Sequence, residues 1–278
     1  MTEPTSGRWA LVTGASAGIG AAFARELASR QISLVLTARR VDRLQELARE
    51  LTEKFGIRTH CIAADLADPA APQRLCDDIA AAGIAIDWLI NNAGYGVPGS
   101  YLQQPWQKHA DFLQVLITAP CQLAYLLLGG MQQRGYGRIA NIASLAGHVP
   151  SSAGHAMYAA SKAFMIKFSQ SLALENNARG INVCAVCPGF TYSEFHDVTG
   201  AREKVSKMPK WMWMSAEEVA LDGVDATERG DVVRVNGRVN RLIKSLVKIV
   251  PDGLGLKLVQ RQSKNFRVVD SASTPPTS

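Results

Sequence analysis

Tyr158 and Lys162 stand four residues apart in a segment of helical period, which puts a phenol and an ammonium on one helix face. Tyrosine titrates near ~10, so a phenol that cycles its proton at neutral pH needs its phenolate stabilised by ~4 kcal/mol. A neighbouring ammonium supplies that stabilisation electrostatically. Ser144, just past an apolar run, adds a hydroxyl able to donate to the same oxygen. Together the three side chains could hold a carbonyl or alcohol oxygen and exchange a proton with it. A Tyr–Lys pair at this spacing is by itself more often a helix-surface pair, so the reading depends on what else the chain carries.

Carbonyl chemistry of this kind also needs a hydride carrier. The stretch Thr13-Gly14-Ala15-Ser16-Ala17-Gly18-Ile19-Gly20 follows an apolar run and opens a helical one. Glycines there allow a tight turn and let the backbone approach a pyrophosphate at the helix N-terminus; the bland alternative is an ordinary strand–helix turn. The next apolar run ends in Leu36-Thr37-Ala38-Arg39-Arg40, without the acid that accepts from a free ribose 2′-hydroxyl. Arg39 and Arg40 are instead placed to pair with a 2′-phosphate, unless they only start a solvated helix. The expected cofactor is NADP(H), with NAD(H) the weaker fit.

Positioning these groups requires alternating strands and helices. Short apolar runs at 9–13, 33–37, 58–63, 88–91, 138–142, 182–187 and 232–235 read as strands. Helical patterns lie at about 19–30, 41–54, 70–82, 105–134 and 156–178. Such alternation implies right-handed crossovers and a doubly wound parallel α/β sheet. With 278 residues, 47% hydrophobic and 19% charged, the chain can bury a full core without disulfides or metal. The polar first residues suggest no secretory leader, and the most apolar stretch, 123–131, is short for a membrane span. Five irregularly spaced cysteines point to a reducing, cytoplasmic setting. Cys184 and Cys187 mimic a redox pair but sit in a buried strand pattern, so they are expected to pack. No metal-ligand spacing and no nucleic-acid-binding module is visible. The expected organisation is a catalytic, cofactor-binding domain over 1–237, a basic helical extension over 238–268 and a disordered tail over 269–278.

With these motifs in order, the chain resembles the short-chain dehydrogenase/reductase family over about residues 8–235. The residues that carry the resemblance are 13–20, Asp65-Leu66, Asn91-Asn92-Ala93-Gly94, Ser144, Tyr158 with Lys162, and Pro188-Gly189. The resemblance implies a seven-stranded Rossmann fold, NAD(P)(H), homodimers or homotetramers, and Ser144, Tyr158 and Lys162 as the catalytic trio. It implies that Asp65 contacts the adenine, Asn91 its ribose, and Lys162 the nicotinamide ribose. Ser193 aligns with the Thr that binds the nicotinamide. Ser16, Ile19, Leu66, Asn92, Ala93, Gly94 and Thr191 complete the expected cofactor shell. One position departs: Leu116 stands where the family has an Asn that holds a water for the lysine. Pro120, as a mid-helix proline, would leave the Leu116 carbonyl unbonded, and that carbonyl could hold the same water.

Substrate selection is expected from loops at 95–101, 145–155 and after Pro188. Tyr95, His155, Phe190, Tyr192 and Trp211 are the candidates; with Phe195 and the Met-rich run 211–214 they suit a bulky apolar ketone or aldehyde. The same residues would also serve as core or subunit contacts. Residues 238–268 hold eight Lys/Arg against Asp252 alone, a net +7 that leaves the rest of the chain at −1. Apolar residues recur there at helical spacing, so this segment either packs on its own domain or a neighbouring subunit, or lies on an anionic membrane. The leading reading is an NADP(H)-dependent carbonyl reductase/alcohol dehydrogenase. The competing readings are a catalytically slow NADP-binding regulator or scaffold, and a reductase of CoA- or carrier-linked 3-oxoacyl groups.

Overall fold

The computed structural model describes residues 7–97, 99–154, 156–192 and 212–263. The near-continuous apolar runs become strands because helices cover both of their faces. They are β1 (Trp9–Thr13), β2 (Ser33–Ala38), β3 (Thr59–Ala63), β4 (Ile86–Asn91), β5 (Gly137–Ile142) and β6 (Ile181–Cys187); a short pair, β7 (Phe190–Thr191) and β8 (Trp213–Met214), precedes β9 (Val233–Val235). The helices are α1 (Gly18–Ser29), α2 (Val41–Phe55), α3 (Ala71–Ala81), α4 (Trp106–Leu113), α5 (Ala119–Arg134), α6 (Tyr158–Asn176), α7 (Ala216–Arg229), α8 (Arg238–Ile249) and α9 (Asp252–Ser263).

The seven-stranded sheet has the order β3-β2-β1-β4-β5-β6-β9 and is parallel throughout. Strand order reverses between β1 and β4, so the ends of these strands frame the crevice where doubly wound folds bind ligands. One core layer joins Phe23, Leu27, Leu44, Leu51 and Val224 to the sheet through Trp88; the other joins Leu75, Leu123, Met131 and Leu172. Burying each such Leu or Phe contributes roughly 1.5–3 kcal/mol.

The strands lie where the apolar runs place them, within two residues. Helix α7 is an addition, although its small apolar residues Ala216, Val219, Ala220, Gly223 and Val224 recur at helical spacing and are buried. Its start is marked by a reciprocal cap: Glu218 N–H donates to Ser215 Oγ at 3.0 Å and Ser215 N–H to Glu218 Oε2 at 2.9 Å. It packs closely on α1, and a Cβ on Gly223 would lie 2.7 Å from the Phe23 ring.

The helix expected over 105–134 contains a π-type turn at Gln114–Thr118. That extra residue places Pro120 in the first turn of α5, where its missing N–H costs little. The run 106–134 is, by length and composition, apolar enough to cross a membrane, a property the shorter 123–131 stretch did not reveal. It packs on the sheet through Leu123 and Met131 and on the loops after β3 and β4 through Phe112 and Leu116, while Tyr125 is 82% exposed.

Candidate active site

The loop after β1 forms a cradle whose shape depends on missing side chains. Gly14 and Gly18 adopt φ of +66° and +54°, in the left-handed region. A Cβ on Gly20 would lie 2.3 Å from the Gly14 carbonyl oxygen and 2.5 Å from Asn92 Nδ2. Asn92 clamps this turn, donating to the carbonyls of Thr13 and Gly14 at 2.9 and 3.2 Å. The N–H groups of Asn92 and Ala93 donate to Thr13 Oγ1 at 2.9 and 3.0 Å. The N-cap of α1 is Ala17, which offers no side-chain acceptor to the first-turn N–H groups. An anion fits that helix end. Arg40 donates to Ser16 Oγ from Nε and Nη2 at 3.3 and 3.1 Å, which holds its guanidinium beside the turn. The Arg39 charge reaches the Tyr95 phenol, although burial keeps that phenol above its ordinary pKa. A pyrophosphate and a 2′-phosphate both fit this arrangement.

Several expected cofactor residues turn their side chains elsewhere. Asn91, expected at the ribose, is buried and donates instead to Asn141 Oδ1 at 2.8 Å and to the Pro120 carbonyl at 3.3 Å. Asn141 donates in turn to Ser169 at 2.8 Å, so a buried polar chain links β4, β5 and α6. The main chain of Asn91 is what remains for a ribose. Leu66 is buried among Phe112, Val115 and Leu116, and Ile19 packs against the core. The Thr191 hydroxyl is taken up by the Gly189 carbonyl at 3.2 Å. Asp65 Oδ1 accepts from Ala67 N–H at 3.1 Å at the exposed end of β3.

The chemical end of the crevice is built by β5, β6 and α6. Ser144 follows β5; its Oγ accepts from Ala146 N–H at 3.1 Å and lies 3.5 Å from the Pro188 carbonyl. The same hydroxyl bonds the Tyr158 phenol. Lys162, buried one helical turn along, donates from Nζ to the Ile142 carbonyl at 2.7 Å and lies 5.7 Å from the Tyr158 ring centroid. Burial pushes the Tyr158 phenol up, against the pull of the Ser144 bond, and pushes Lys162 down to about 8. The expected ammonium-driven depression of the tyrosine is therefore not what the fold produces. Both groups are withdrawn from water, which penalises each charged form, and the ammonium spends a hydrogen bond on Ile142. Tyr158 keeps its proton at neutral pH.

Sequence reasoning missed Gly147, where a Cβ would lie 2.7 Å from the Lys162 carbonyl carbon and 2.8 Å from Ala163 N. Only glycine lets the Ser144 loop approach α6 so closely. Leu116 is buried beside Tyr158, with its Cγ 3.6 Å from where a Cβ on Gly94 would sit. An apolar wall thus stands where the family resemblance anticipates an amide.

On the substrate side, Tyr192 stacks on Trp213 at 4.5 Å and Phe190 tilts against it at 5.8 Å, across the β7–β8 pair. Trp213 lies in the Met-rich run but was not singled out. Tyr95 meets Phe112 edge-on at 5.8 Å. His155, Ser193, Phe195 and Trp211 lie outside the described residues. Burial and the charges of Lys244, Lys248 and Lys167 push His148, in the loop after Ser144, down to about 4. Burial pushes the Cys184 and Cys187 thiols up to about 12, which agrees with a packing role.

Residues 8–204 match the family described as short chain dehydrogenase. The chain belongs to that family. Very-long-chain 3-oxoacyl-CoA reductases are similar along much of this short-chain dehydrogenase: that of Homo sapiens is 30% identical over 268 residues, 95% of this chain and 82% of that protein. That of Anas platyrhynchos is 36% identical over 202 residues, 70% of this chain and 64%, under two thirds, of the avian protein. Among solved structures, a short-chain dehydrogenase from Sphingobium yanoikuyae in complex with NADPH superposes with a TM-score of 0.78 at 30% identity, covering 98% of this chain and 100% of that one. The bulky-bulky ketone specific alcohol dehydrogenase from Comamonas testosteroni gives a TM-score of 0.74 at 29% identity, covering 96% and 97%. The chain is thus an oxidoreductase of this family.

Proposed function

We propose that this short-chain dehydrogenase uses NADP(H) to interconvert a bulky apolar ketone or aldehyde and its alcohol, with Tyr158 as the general acid/base. The observation that carries the reading is the meeting of the Tyr158 phenol, the Ser144 hydroxyl and buried Lys162 at the strand ends. Gly14, Gly18, Gly20 and the α1 N-terminus would hold the pyrophosphate, Arg39 and Arg40 the 2′-phosphate, and Asp65 the adenine. Lys162 would hold the nicotinamide ribose, and the segment from Pro188-Gly189 to Ser193 the nicotinamide. The chemistry NADP(H) supplies when bound is hydride transfer to the carbonyl carbon. Ser144 holds the carbonyl oxygen and Tyr158 gives it a proton, after which the Lys162 ammonium faces the phenolate. Reprotonation would run through a water on the Leu116 backbone carbonyl, to which Pro120 has no N–H to donate. Because Lys162 loses its charge above about 8, NADPH oxidation is expected to fall as pH rises through that value. Exposed Tyr125, Phe164 and Leu174 on α5 and α6 support a homodimer or homotetramer, which sizing of the purified protein would reveal.

The clustered Phe190, Tyr192 and Trp213 rings support an apolar substrate, and the neighbour named for bulky ketones agrees. The names of the reductase relatives support a second reading, a CoA-linked 3-oxoacyl substrate. The test is NADPH oxidation with aromatic, cyclic, long-chain and 3-oxoacyl-CoA carbonyls, run beside NADH. Turnover of bulky ketones with NADPH preferred is expected. Turnover of the 3-oxoacyl-CoA alone selects the second reading, and tight NADPH binding without turnover overturns both in favour of a cofactor-binding regulator.

A further inference from the structure

Helices α8 and α9 combine concentrated positive charge with large apolar side chains left in water. Residues 238–268 carry eight Lys/Arg and one acid, while the rest of the chain sums to −1. α8 is fastened to the body along one line. Asn240 is 3% exposed, donates to the Asn236 carbonyl at 2.8 Å and fills the space where a Cβ on Gly189 would sit. Arg241 donates to the Val235 carbonyl at 3.2 Å. Away from that line, Leu242, Leu246 and Ile249, spaced i, i+4, i+7, are 59%, 50% and 78% exposed. Leu254 and Leu256 of α9 are more than half exposed as well, with Arg238, Lys248 and Lys257 exposed alongside. Core-facing helices bury such a stripe; this one turns it outward.

The charge identifies the occupant. A second copy of these two helices, six Lys/Arg against Asp252 over residues 238–263, would bring +5 against +5, whereas an anionic bilayer offers hydrocarbon to the leucines and phosphates to the flanking cations. We propose that α8 and α9 form a peripheral docking surface for an anionic lipid bilayer, with α8 lying in the plane of the interface. The surface borders the site. Asn240 packs on Gly189, and Gly255 of α9 lies against Pro150, its Cβ position 3.1 Å from the proline Cγ. These contacts belong to the loops that carry Pro188 and Ser144, so docking turns the substrate side toward the membrane, and an apolar carbonyl can enter from the bilayer. That consequence rests on the function proposed above; docking does not.

Cosedimentation of the full-length protein with vesicles tests this. The protein is expected to pellet with phosphatidylglycerol-containing vesicles, to stay in solution with pure phosphatidylcholine, and to be released as salt rises. The variant L242D/L246D is expected to lose at least about tenfold in anionic-vesicle affinity, since it removes two apolar anchors and adds like charge. Its NADPH binding and thermal unfolding should match the wild type, because both positions are exposed. Absence of wild-type binding, or equal binding by the variant, overturns the proposal. So does conversion of an oligomer to a monomer in the variant without vesicles, which assigns the stripe to a second copy. A protein that docks yet turns over no carbonyl overturns the proposed function and leaves docking intact.

Discussion

At the proposed cofactor end of the crevice a Cβ on Gly20 would lie 2.3 Å from the Gly14 carbonyl oxygen, whereas at the proposed substrate end Tyr192 and Trp213 meet as stacked rings 4.5 Å apart. The first end is closed by main chain: glycine φ angles, the Asn92 clamp and a helix terminus without a side-chain cap. The second is assembled from side chains of separate segments, at 190–192 and 213–214, with α8 seated against Gly189. A pocket made of backbone tolerates almost no change in shape and takes one ligand chemistry. A pocket made of rings and leucines can be resculpted, and its selectivity is set residue by residue.

Substitutions at the two ends should therefore fail differently. The largest effect belongs to the junction: Tyr158→Phe should lower NADPH-dependent reduction by about 10³-fold while NADPH titration stays unchanged. Gly20→Ala should weaken NADPH binding by about ten- to hundredfold, the consequence of forcing a Cβ into backbone; full affinity in a fluorescence titration would break the contrast between the two ends. For Arg40→Ala, the preference for NADPH over NADH in kcat/KM should fall by about tenfold or more, as expected for a lost charged hydrogen bond. Trp213→Ala should raise KM for a bulky ketone several-fold, in line with an aromatic pair worth about 1 kcal/mol, and leave NADPH affinity alone. A shift in cofactor affinity there would show that the ends are coupled. The smallest change is expected from Leu116→Asn, less than about tenfold in kcat, if a backbone carbonyl carries the proton route. A hundredfold gain would place that route on the missing side chain.

Much of the candidate site was legible because its parts are local. The glycine turn, the Tyr158–Lys162 pair and the adjacent arginines each lie within one turn or one helix, where spacing translates directly into geometry. Helix α7 was also legible, in Ser215 and Glu218 at its start and in Ala216, Val219, Ala220, Gly223 and Val224 at helical spacing, but the small size of these residues makes the stripe faint. Asn91 read as a ribose contact because its motif was recognised, but its side chain belongs to the buried chain through Asn141 and Ser169. That network joins residues fifty and seventy-eight positions from Asn91, which no local pattern records. Gly147 and Asn240 escaped for the same reason: each matters through a partner distant in sequence.

The chain by itself determined the doubly wound α/β fold, the glycine turn ahead of α1 and the proposed trio of Ser144, Tyr158 and Lys162, because alternation, glycine placement and i, i+4 spacing act over short range. Only the tertiary structure decided the state of that trio. Lys162 and Tyr158 are neighbours in sequence, but whether the ammonium lowers the phenol or burial raises it depends on how far both are withdrawn from water and on the Ile142 carbonyl, supplied by a strand that arrives from elsewhere. The tertiary structure likewise decided which apolar residues of 238–268 turn outward, since a helical stripe has no inside until the rest of the protein takes its place beside it.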